Sequence, residues 1–202
     1  MSTVSVVVWD VGNVIVRWDP RTLYSTIFPD PAERDRFLGQ VCTMAWHAPT
    51  DRGLSFDDNC AALAAKHPEH RDAIWAWKHR WGEMFSGAIP ETEAAIAALH
   101  DRGVRQYALT NMSHETEDAT FAMSPAFALL DGRIVSGREG VMKPDAAIFQ
   151  LTCDRFGFAP DEALFVDDSA TNIEAARALG FATHHFTDPA ALRPALEGLG
   201  LL

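Results

Sequence analysis

Polar residues follow several apolar segments of this sequence and carry side chains that bind metal ions and anions. They are Asp10, Thr110, Asn111, Asp167 and Asp168, with Lys143 in a loop before a predicted helix. Each apolar segment is a short run of aliphatic and β-branched residues, which predicts a buried strand. Because the carboxyl ends of parallel strands meet at one edge of a sheet, where ligands bind, we expect these side chains to converge.

Three converging carboxylates repel one another unless a cation lies among them. Oxygen ligands of this kind suit Mg²⁺, which binds one or two carboxylates together with water and a substrate phosphate. Thr110 and Asn111 can hydrogen-bond phosphate oxygens, and Lys143 supplies a compact positive charge. A carboxylate that faces a phosphoryl group can attack it as a nucleophile. The set therefore predicts a Mg²⁺ site for an anionic substrate.

Each of these positions also has a purely structural interpretation. Asp167 and Asp168 precede a predicted helix and are typical N-cap residues. Thr110 and Asn111 are typical of turns, and Lys143 next to a proline is typical of a solvated loop. These interpretations stay open for each position taken alone. The joint occurrence of the residues, in chain order at the ends of predicted strands, favours a shared site.

The segments around these residues predict an α/β fold. From residue 87 onward, short apolar strands alternate with helices that end at glycines such as Gly103, Gly157 and Gly180. This alternation predicts a Rossmann-like parallel sheet with helices on both faces. Residues 17–86 show helix signals and no convincing strand, which predicts a helical cap. We therefore assign residues 1–16 and 87–202 to the core and 17–86 to the cap.

Composition and charge limit the partners that the chain can have. Its 202 residues, 48% of them hydrophobic, are enough for one sizeable core with a small second lobe. The net charge of −11 argues against a nucleic-acid or anionic membrane surface, and no apolar run is long enough to span a bilayer. The three cysteines form no Cys-x-x-Cys pair and are expected to be reduced. We expect a cytoplasmic monomer or homodimer that binds a small molecule.

With these motifs the sequence resembles the haloacid dehalogenase (HAD) superfamily of hydrolases over essentially its whole length. Four family motifs occur in order: Asp10-Val-Gly-Asn-Val, Leu109-Thr110-Asn111, Lys143-Pro144 and Phe165-Val166-Asp167-Asp168-Ser169. The helical insertion resembles the small cap domain of the family. Cap residues such as Trp18-Asp19-Pro20 and Asp51-Arg52-Gly53 are similar to a bacterial branch related to sugar-phosphate phosphatases and to the N-terminal phosphatase domain of epoxide hydrolases.

The resemblance implies a role for each motif residue. Asp10 would be the nucleophile and a metal ligand, with the Gly12 carbonyl and the Asp168 carboxylate as further ligands. Asp167 would orient metal-bound water or bind the metal indirectly, and Asn172 would at most support these ligands. The residues that would hold the transferring phosphoryl group are Thr110, Asn111 and Lys143.

Gly12 is a departure from the pattern of most phosphatases in this superfamily. They carry a second Asp at this position, which protonates the leaving group and later activates water. The general acid and base is therefore unassigned, and Asp19 and His47 are substitutes that also have structural interpretations. Arg52, in a cap loop, would bind the leaving group or be an exposed arginine. Trp46 and His47 are expected to line the same opening.

The leading hypothesis is a Mg²⁺-dependent phosphatase of a small phosphorylated metabolite, such as a sugar phosphate, that forms an aspartyl-phosphate at Asp10. A 2-haloacid dehalogenase is the alternative within the family, because dehalogenases also lack the second Asp. Dehalogenases need no metal, however, and the Asp167-Asp168 pair favours the phosphatase. The absence of an acid at Gly12 leaves a third alternative, a non-catalytic binding protein on the same fold.

Overall fold

The structure, a computed structural model, describes residues 4–202, so the first three residues of the predicted core segment lie outside the described residues. Its strands are β1 (Val6–Trp9), β2 (Val16–Trp18), β3 (Phe85–Ala88), β4 (Arg105–Thr110), β5 (Gly132–Val135), β6 (Ala163–Asp167) and β7 (Ala182–His185). Five of them form a sheet in the order β5-β4-β1-β6-β7, and every pair in it is parallel. This sheet confirms the predicted Rossmann-like α/β fold class.

Helices cover the sheet and form the cap. They are α1 (Pro20–Ile27), α2 (Pro31–Gln40), α3 (Met44–His47), α4 (Phe56–Lys66), α5 (Arg71–His79), α6 (Pro90–Asp101), α7 (Glu117–Phe121), α8 (Ser136–Glu139), α9 (Ala146–Phe156), α10 (Ala170–Ala178) and α11 (Leu192–Gly198). Apolar residues of α6 and α11 pack on one face of the sheet, and those of α9 and α10 pack on the other. None of the helices in 4–202 is long and apolar enough to cross a membrane.

The central strand β1 is apolar throughout because both faces of the sheet are covered. Val7 and Trp9 belong to the core layer on one face, whereas Val6 and Val8 belong to the layer on the other. All four side chains are fully buried. The strand is thereby fixed between β4 and β6, and this fixes the position of the residue that follows it, Asp10.

The cap helices α1 to α5 lie between β2 and β3 in the chain and surround an aromatic cluster. The largest members of this cluster are Tyr24, Phe37, Phe56, Trp77 and Trp81. The expectation that 17–86 contains no strand is wrong at its two ends, because β2 and β3 pair there in an antiparallel ribbon. These strands have three and four residues, too few to show a period in the sequence. The proposed core and cap boundaries stay a prediction.

A second difference lies after β4, where the sequence predicts a helix from Ser113 to about Met123. The structure has a 3₁₀ turn at His114–Thr116 followed by the short helix α7. The Ser113 hydroxyl accepts the backbone N–H of Glu115 at 3.3 Å and thus caps the tighter turn instead of a continuous α-helix.

Candidate active site

Three carboxylates meet at the carboxyl edge of the sheet. Asp10 directly follows β1, Asp167 ends β6, and Asp168 comes next. The backbone N–H of Asp10 donates to the carbonyl of Val166 at 2.8 Å, which ties the two strand ends together. Each acid offers a carboxylate oxygen within 4.8 Å of the others. The structure thus brings together the three acidic side chains that the sequence predicts as a metal site.

Lys143 reaches this acidic cluster from the loop between α8 and α9 and is buried. Its ammonium nitrogen lies 2.8 Å from Oδ1 of Asp10, and it donates to Oδ2 of Asp167 at 2.7 Å and to the carbonyl of Leu109 at 2.9 Å. Burial by itself lowers the pKa of Lys143, but attraction to Asp10 and Asp167 outweighs burial and raises it. Lys143 is therefore a fixed cation beside the predicted nucleophile.

The two oxygens of Asp10 have different environments. Oδ1 contacts Lys143 and accepts the backbone N–H of Val11 at 2.7 Å, whereas Oδ2 has no hydrogen-bond donor among the described residues. Burial raises the pKa of Asp10, Lys143 opposes this, and the charges of Asp167 and Asp168 add to it. Three acidic side chains beside one ammonium leave an excess of negative charge that a divalent cation would offset. This hard oxygen donor set fits Mg²⁺.

Asp167 is held by hydrogen bonds on both of its oxygens. Oδ1 accepts the backbone N–H of Ser169 at 2.8 Å, and Oδ2 accepts Lys143. The amide nitrogen of Asn172 lies 3.0 Å from Oδ1 and 3.1 Å from Oδ2. Asp167 is also fully buried, whereas Asp168 is exposed. Asp168 is therefore the more accessible of the two acids, and Asn172 positions Asp167.

Thr110 and Asn111 lie at the end of the neighbouring strand β4. The amide nitrogen of Asn111 donates to the carbonyl of Lys143 at 2.9 Å, and its amide oxygen accepts the Lys143 backbone N–H at 2.8 Å. The side chain of Asn111 therefore holds the lysine loop in place. Thr110 is buried at the strand end. Binding of a phosphoryl group by either residue stays a prediction.

Gly12 lies in the turn after Asp10, where its missing side chain leaves open space. A Cβ at this position would meet no atom within 4 Å, and its backbone is outside the left-handed region. The next residue, Asn13, has a φ of 58° and accepts the backbone N–H of Trp18 on Oδ1 at 3.0 Å. A hydrogen bond from Asn13 also opposes the upward shift that burial and Asp167 impose on the pKa of Asp168.

A cavity of about 340 Å³ extends from the strand ends into the cap. Its base is formed by Val11, Gly12, Thr110 and Asn111. The other lining residues are mainly apolar or aromatic: the cap contributes Trp18, Met44, His47, Ala48, Asp51, Trp81 and Phe85, and the core segment contributes Met112, Thr120 and Met142. The volume is in the range of small-molecule sites. We call this space the cap cavity.

His47 and Asp51 are the buried titratable residues of the cap cavity. Nε2 of His47 lies 3.3 Å from Oδ1 of Asp51, but the contact lacks hydrogen-bond geometry. Burial lowers the pKa of His47 to about 4 and raises the pKa of Asp51 to about 7. Both shifts disfavour an ion pair between the two groups at neutral pH. Nδ1 of His47 accepts the indole N–H of Trp77 at 3.2 Å, which favours the neutral ring with its proton on Nε2.

Three other residues considered in the sequence lie outside the wall of the cap cavity. The guanidinium of Arg52 is exposed and bonds Asp145 at 3.0 Å. Trp46 donates to the carbonyl of Asn59 at 3.4 Å. Asp19 caps α1 and lines a separate, open polar groove of about 490 Å³ that also contains Asn13, Arg17, Ser86 and Asp168. Roles of Arg52 and Asp19 toward a substrate stay predictions.

The family model of haloacid dehalogenase-like hydrolases matches residues 4–180. The chain belongs to this family. The matched segment contains every residue of the acidic cluster as well as Lys143, Asn111 and the cap. The resemblance read from the four motifs is therefore confirmed, and the chain is an HAD-like hydrolase.

Relatives of this HAD-like hydrolase include both phosphatases and dehalogenases. It is 24% identical over 190 residues to the sesquiterpene phosphatase astK of Aspergillus oryzae, covering 94% of this chain and 93% of that one. It is 29% identical over 136 residues to (S)-2-haloacid dehalogenase 4A of Burkholderia cepacia, covering 66% of this chain and 55% of that one. Acyl-CoA dehydrogenase family member 10 of Mus musculus is 32% identical over 117 residues, which are 58% of this chain and 11% of the mouse protein.

Solved structures show the same fold. A HAD family enzyme from Bacteroides thetaiotaomicron, in complex with magnesium and inorganic phosphate, superposes with a TM-score of 0.67 at 18% identity, covering 94% of this chain and 98% of that one. At this identity the similarity establishes the fold alone. The fold places the strand ends that carry Asp10, Thr110 and Asp167 at one edge of the sheet.

Sequence reasoning about this HAD-like hydrolase left Asn13, Trp18 and Asp51 without a role in the site. The Gly-Asn pair after Asp10 was a signal for the turn that Asn13 closes. Trp18 reaches the cavity because β2 pairs with β3, and no local pattern shows this pairing. Asp51 is buried through contacts with distant residues, such as the Ser136 hydroxyl that donates to its carbonyl at 2.6 Å.

Proposed function

We propose that this HAD-like hydrolase is a Mg²⁺-dependent phosphatase of a small phosphorylated molecule. The observation that carries the proposal is the cluster of three carboxylate oxygens within 4.8 Å of one another, with the ammonium of Lys143 in contact with two of the three acids. Such a cluster could hold a divalent cation that offsets the charge of a phosphoryl group, whereas displacement of a halide from carbon does not require a metal. The similarity to the sesquiterpene phosphatase astK supports the same assignment.

In the proposed reaction we assign each group a role that follows from its chemistry. Asp10 Oδ2 attacks phosphorus, the bond from phosphorus to the substrate oxygen breaks, and the released oxygen takes a proton from solvent. Water then attacks the phosphorus of the aspartyl-phosphate and gives up a proton to solvent, which regenerates the Asp10 carboxylate and releases phosphate. Lys143 holds Oδ1 of Asp10 and offsets negative charge beside the phosphoryl group. When bound, Mg²⁺ would be held by Asp10, Asp168 and the Gly12 carbonyl and would neutralise phosphoryl oxygens.

The experiment is phosphate release from p-nitrophenyl phosphate and from a panel of phosphorylated metabolites that includes sugar phosphates. We expect release with Mg²⁺, none with EDTA, and a loss of at least about a thousandfold in Asp10→Asn, which lacks the nucleophile. Asp161→Asn, at an exposed acid outside the cluster, is the matched control. Turnover that survives Asp10→Asn would contradict the mechanism.

A 2-haloacid dehalogenase is the second candidate, favoured by the similarity to the Burkholderia cepacia enzyme. A haloacid carries a carboxylate beside its reactive carbon, and a cationic side chain would suit it. The wall of the cap cavity contains no lysine or arginine within 4–202 but does contain Asp51. Release of halide from 2-chloropropionate in EDTA, dependent on Asp10, would favour this candidate over the phosphatase.

A further inference from the structure

We infer that the substrate is the phosphate monoester of an apolar alcohol, whose hydrocarbon part occupies the cap cavity. The inference deepens the proposed function and depends on it for the phosphoryl end of the molecule. The base of the cavity, at Gly12 and Thr110, adjoins Asp10 in the chain and in the sheet. The organic group of a phosphate ester bound at Asp10 can therefore extend into the cap cavity.

The wall that this organic group meets is apolar. Indole and phenyl rings come from Trp18, Trp81 and Phe85, and thioether side chains come from Met44 and Met112. The Trp18 and Trp81 rings pack together with a centroid distance of 5.7 Å and form a continuous aromatic surface. Such surfaces bind hydrocarbon, and methionine side chains adapt to its shape.

Most polar groups of the same wall already have partners inside the protein. Thr120 Oγ1 accepts the indole N–H of Trp81 at 3.0 Å and donates to the carbonyl of Thr116 at 2.9 Å. Nδ1 of His47 accepts Trp77, and the Asn111 amide bonds the backbone of Lys143 on both sides. A sugar would bring several hydroxyl groups to a wall with few free donors or acceptors, which weakens its binding.

Side-chain atoms of the wall without a hydrogen-bond partner in the described structure include the indole N–H of Trp18 and Oδ1 of Asp51, which are both fully buried, and Nε2 of His47. The wall therefore offers few accessible polar partners to a ligand. A second phosphate or a carboxylate on the substrate would instead meet the carboxyl of Asp51, with no basic side chain among the described lining residues. The wall therefore selects against sugar bisphosphates and phosphorylated acids.

The open polar groove on the other side of Trp18 is the competing location for a hydrophilic group. It contains Arg17, Asp19 and Asp168, and Trp18 lies in the walls of both spaces. The groove gives water a route to Asp168 that does not cross the cap cavity. The two spaces can be blocked separately, because Ala48 lines only the cavity and Ser86 lines only the groove.

The test is calorimetric binding of non-hydrolysable alkylphosphonates from ethyl to hexyl, with Mg²⁺ present, compared with glucose 6-phosphate and inorganic phosphate. We expect affinity to rise about three- to fourfold for each added methylene and to exceed that of the sugar phosphate. Ala48→Phe is expected to abolish the dependence on chain length, and Ser86→Phe to retain it. Met44→Gln is expected to weaken hexylphosphonate several-fold, while Leu54→Gln, at another exposed apolar residue outside the cavity, leaves it unchanged.

Any one of three results would overturn the inference. They are an affinity that does not change with chain length, tighter binding of the sugar phosphate than of the alkylphosphonates, and loss of binding in Ser86→Phe alone. Phosphate release from p-nitrophenyl phosphate is measured in parallel with the same proteins. Asp10-dependent release together with a flat alkyl series means that the phosphatase assignment stands and the apolar substrate does not. A steep alkyl series without any release means that the cavity binds hydrocarbon and the proposed function fails.

Discussion

Asn111 and Lys143 hold each other through two hydrogen bonds between a side chain and a backbone. The amide nitrogen of Asn111 donates to the Lys143 carbonyl at 2.9 Å, and the Lys143 N–H donates to the amide oxygen at 2.8 Å. This contact joins the end of β4 to the loop before α9. It fixes the base of the lysine side chain, so that the ammonium reaches both Asp10 and Asp167. Rigid support of this kind holds a charge where the reaction needs it.

Lys143→Met is expected to remove both activity and stability. The variant leaves the buried carboxylates of Asp10 and Asp167 without their shared cation, and breaking a buried ion pair in this way costs about 3–5 kcal/mol. Urea unfolding at neutral pH measures the loss, and p-nitrophenyl phosphate turnover is expected to fall at least about a hundredfold. The control is Lys78→Met, because Lys78 pairs with Asp57 and Glu115 nearer the surface. An effect no larger than that of the control would contradict the central place of Lys143.

Asp168→Asn is expected to weaken Mg²⁺ binding without destabilising the folded protein. If Mg²⁺ binds the folded wild type, a concentration of 100 times its Kd adds about 2.7 kcal/mol to the free energy of unfolding. The variant loses one negative ligand, so we expect the same stabilisation only at Mg²⁺ concentrations at least about tenfold higher. Without metal it should be no less stable than the wild type, because one of three neighbouring carboxylates is neutral. The measurement is thermal unfolding of both proteins at increasing Mg²⁺ concentrations. If Mg²⁺ stabilises the two proteins equally at every concentration, Asp168 is not a ligand.

The acidic cluster was predictable from the sequence because its residues directly follow strands of one parallel sheet, whose carboxyl ends share an edge. Asp10, Thr110 and Asp167 converge if β1, β4 and β6 are neighbours in the sheet. The structure shows that these three strands are neighbours. The wall of the cap cavity was not predictable in this way. Trp18 and Phe85 come together through pairing of two short strands separated by the whole cap, and such pairing leaves no local period.

The burial of Asp51 was also not predictable from the sequence, because it depends on a contact between distant segments. Its loop lies so close to α8 that a Cβ at Gly53 would be 2.9 Å from the carbonyl oxygen of Gly137. Gly53 also has a φ of 99°, which favours glycine. From the sequence, the Asp-Arg-Gly run identified a cap loop and drew attention to the charged Arg52. In the structure, Gly53 and Gly137, which are distant in the sequence, bring this loop against α8, and Asp51 faces the interior.

Gly12→Asp is expected to raise turnover where the leaving group needs a proton. The position has room, since a Cβ there meets no atom within 4 Å. An acid beside the nucleophile can protonate the ester oxygen, an effect of about 10²–10⁴ in rate at its fullest. We expect at least about a tenfold gain in kcat for an alkyl phosphate and little gain for p-nitrophenyl phosphate, whose phenolate leaves without a proton. Gly12→Asn has the same size and no proton to give, so an equal gain in that variant would disprove the explanation.

Asp51→Asn is expected to stabilise the protein at neutral pH. The Asp51 side chain is only 10% exposed, and burial raises its pKa from 3.8 to about 7 in the folded state. A carboxyl with a raised pKa favours folding below about pH 4, and this contribution is lost as pH rises toward 7 because the unfolded chain ionises first. The free energy of unfolding of the wild type relative to Asp51→Asn should therefore fall by up to about 4 kcal/mol across this range.

The measurement is urea unfolding of both proteins from pH 4.5 to 8. His47, the titratable group that faces Asp51 at 3.3 Å, is present in both and largely cancels in the difference. Asp145→Asn, which removes the exposed partner of Arg52, is the control and should change stability by no more than about 1 kcal/mol. If His47 and Asp51 instead formed an ion pair, the wild type would gain stability relative to Asp51→Asn as pH rises from 4, and the sign of the slope would be reversed.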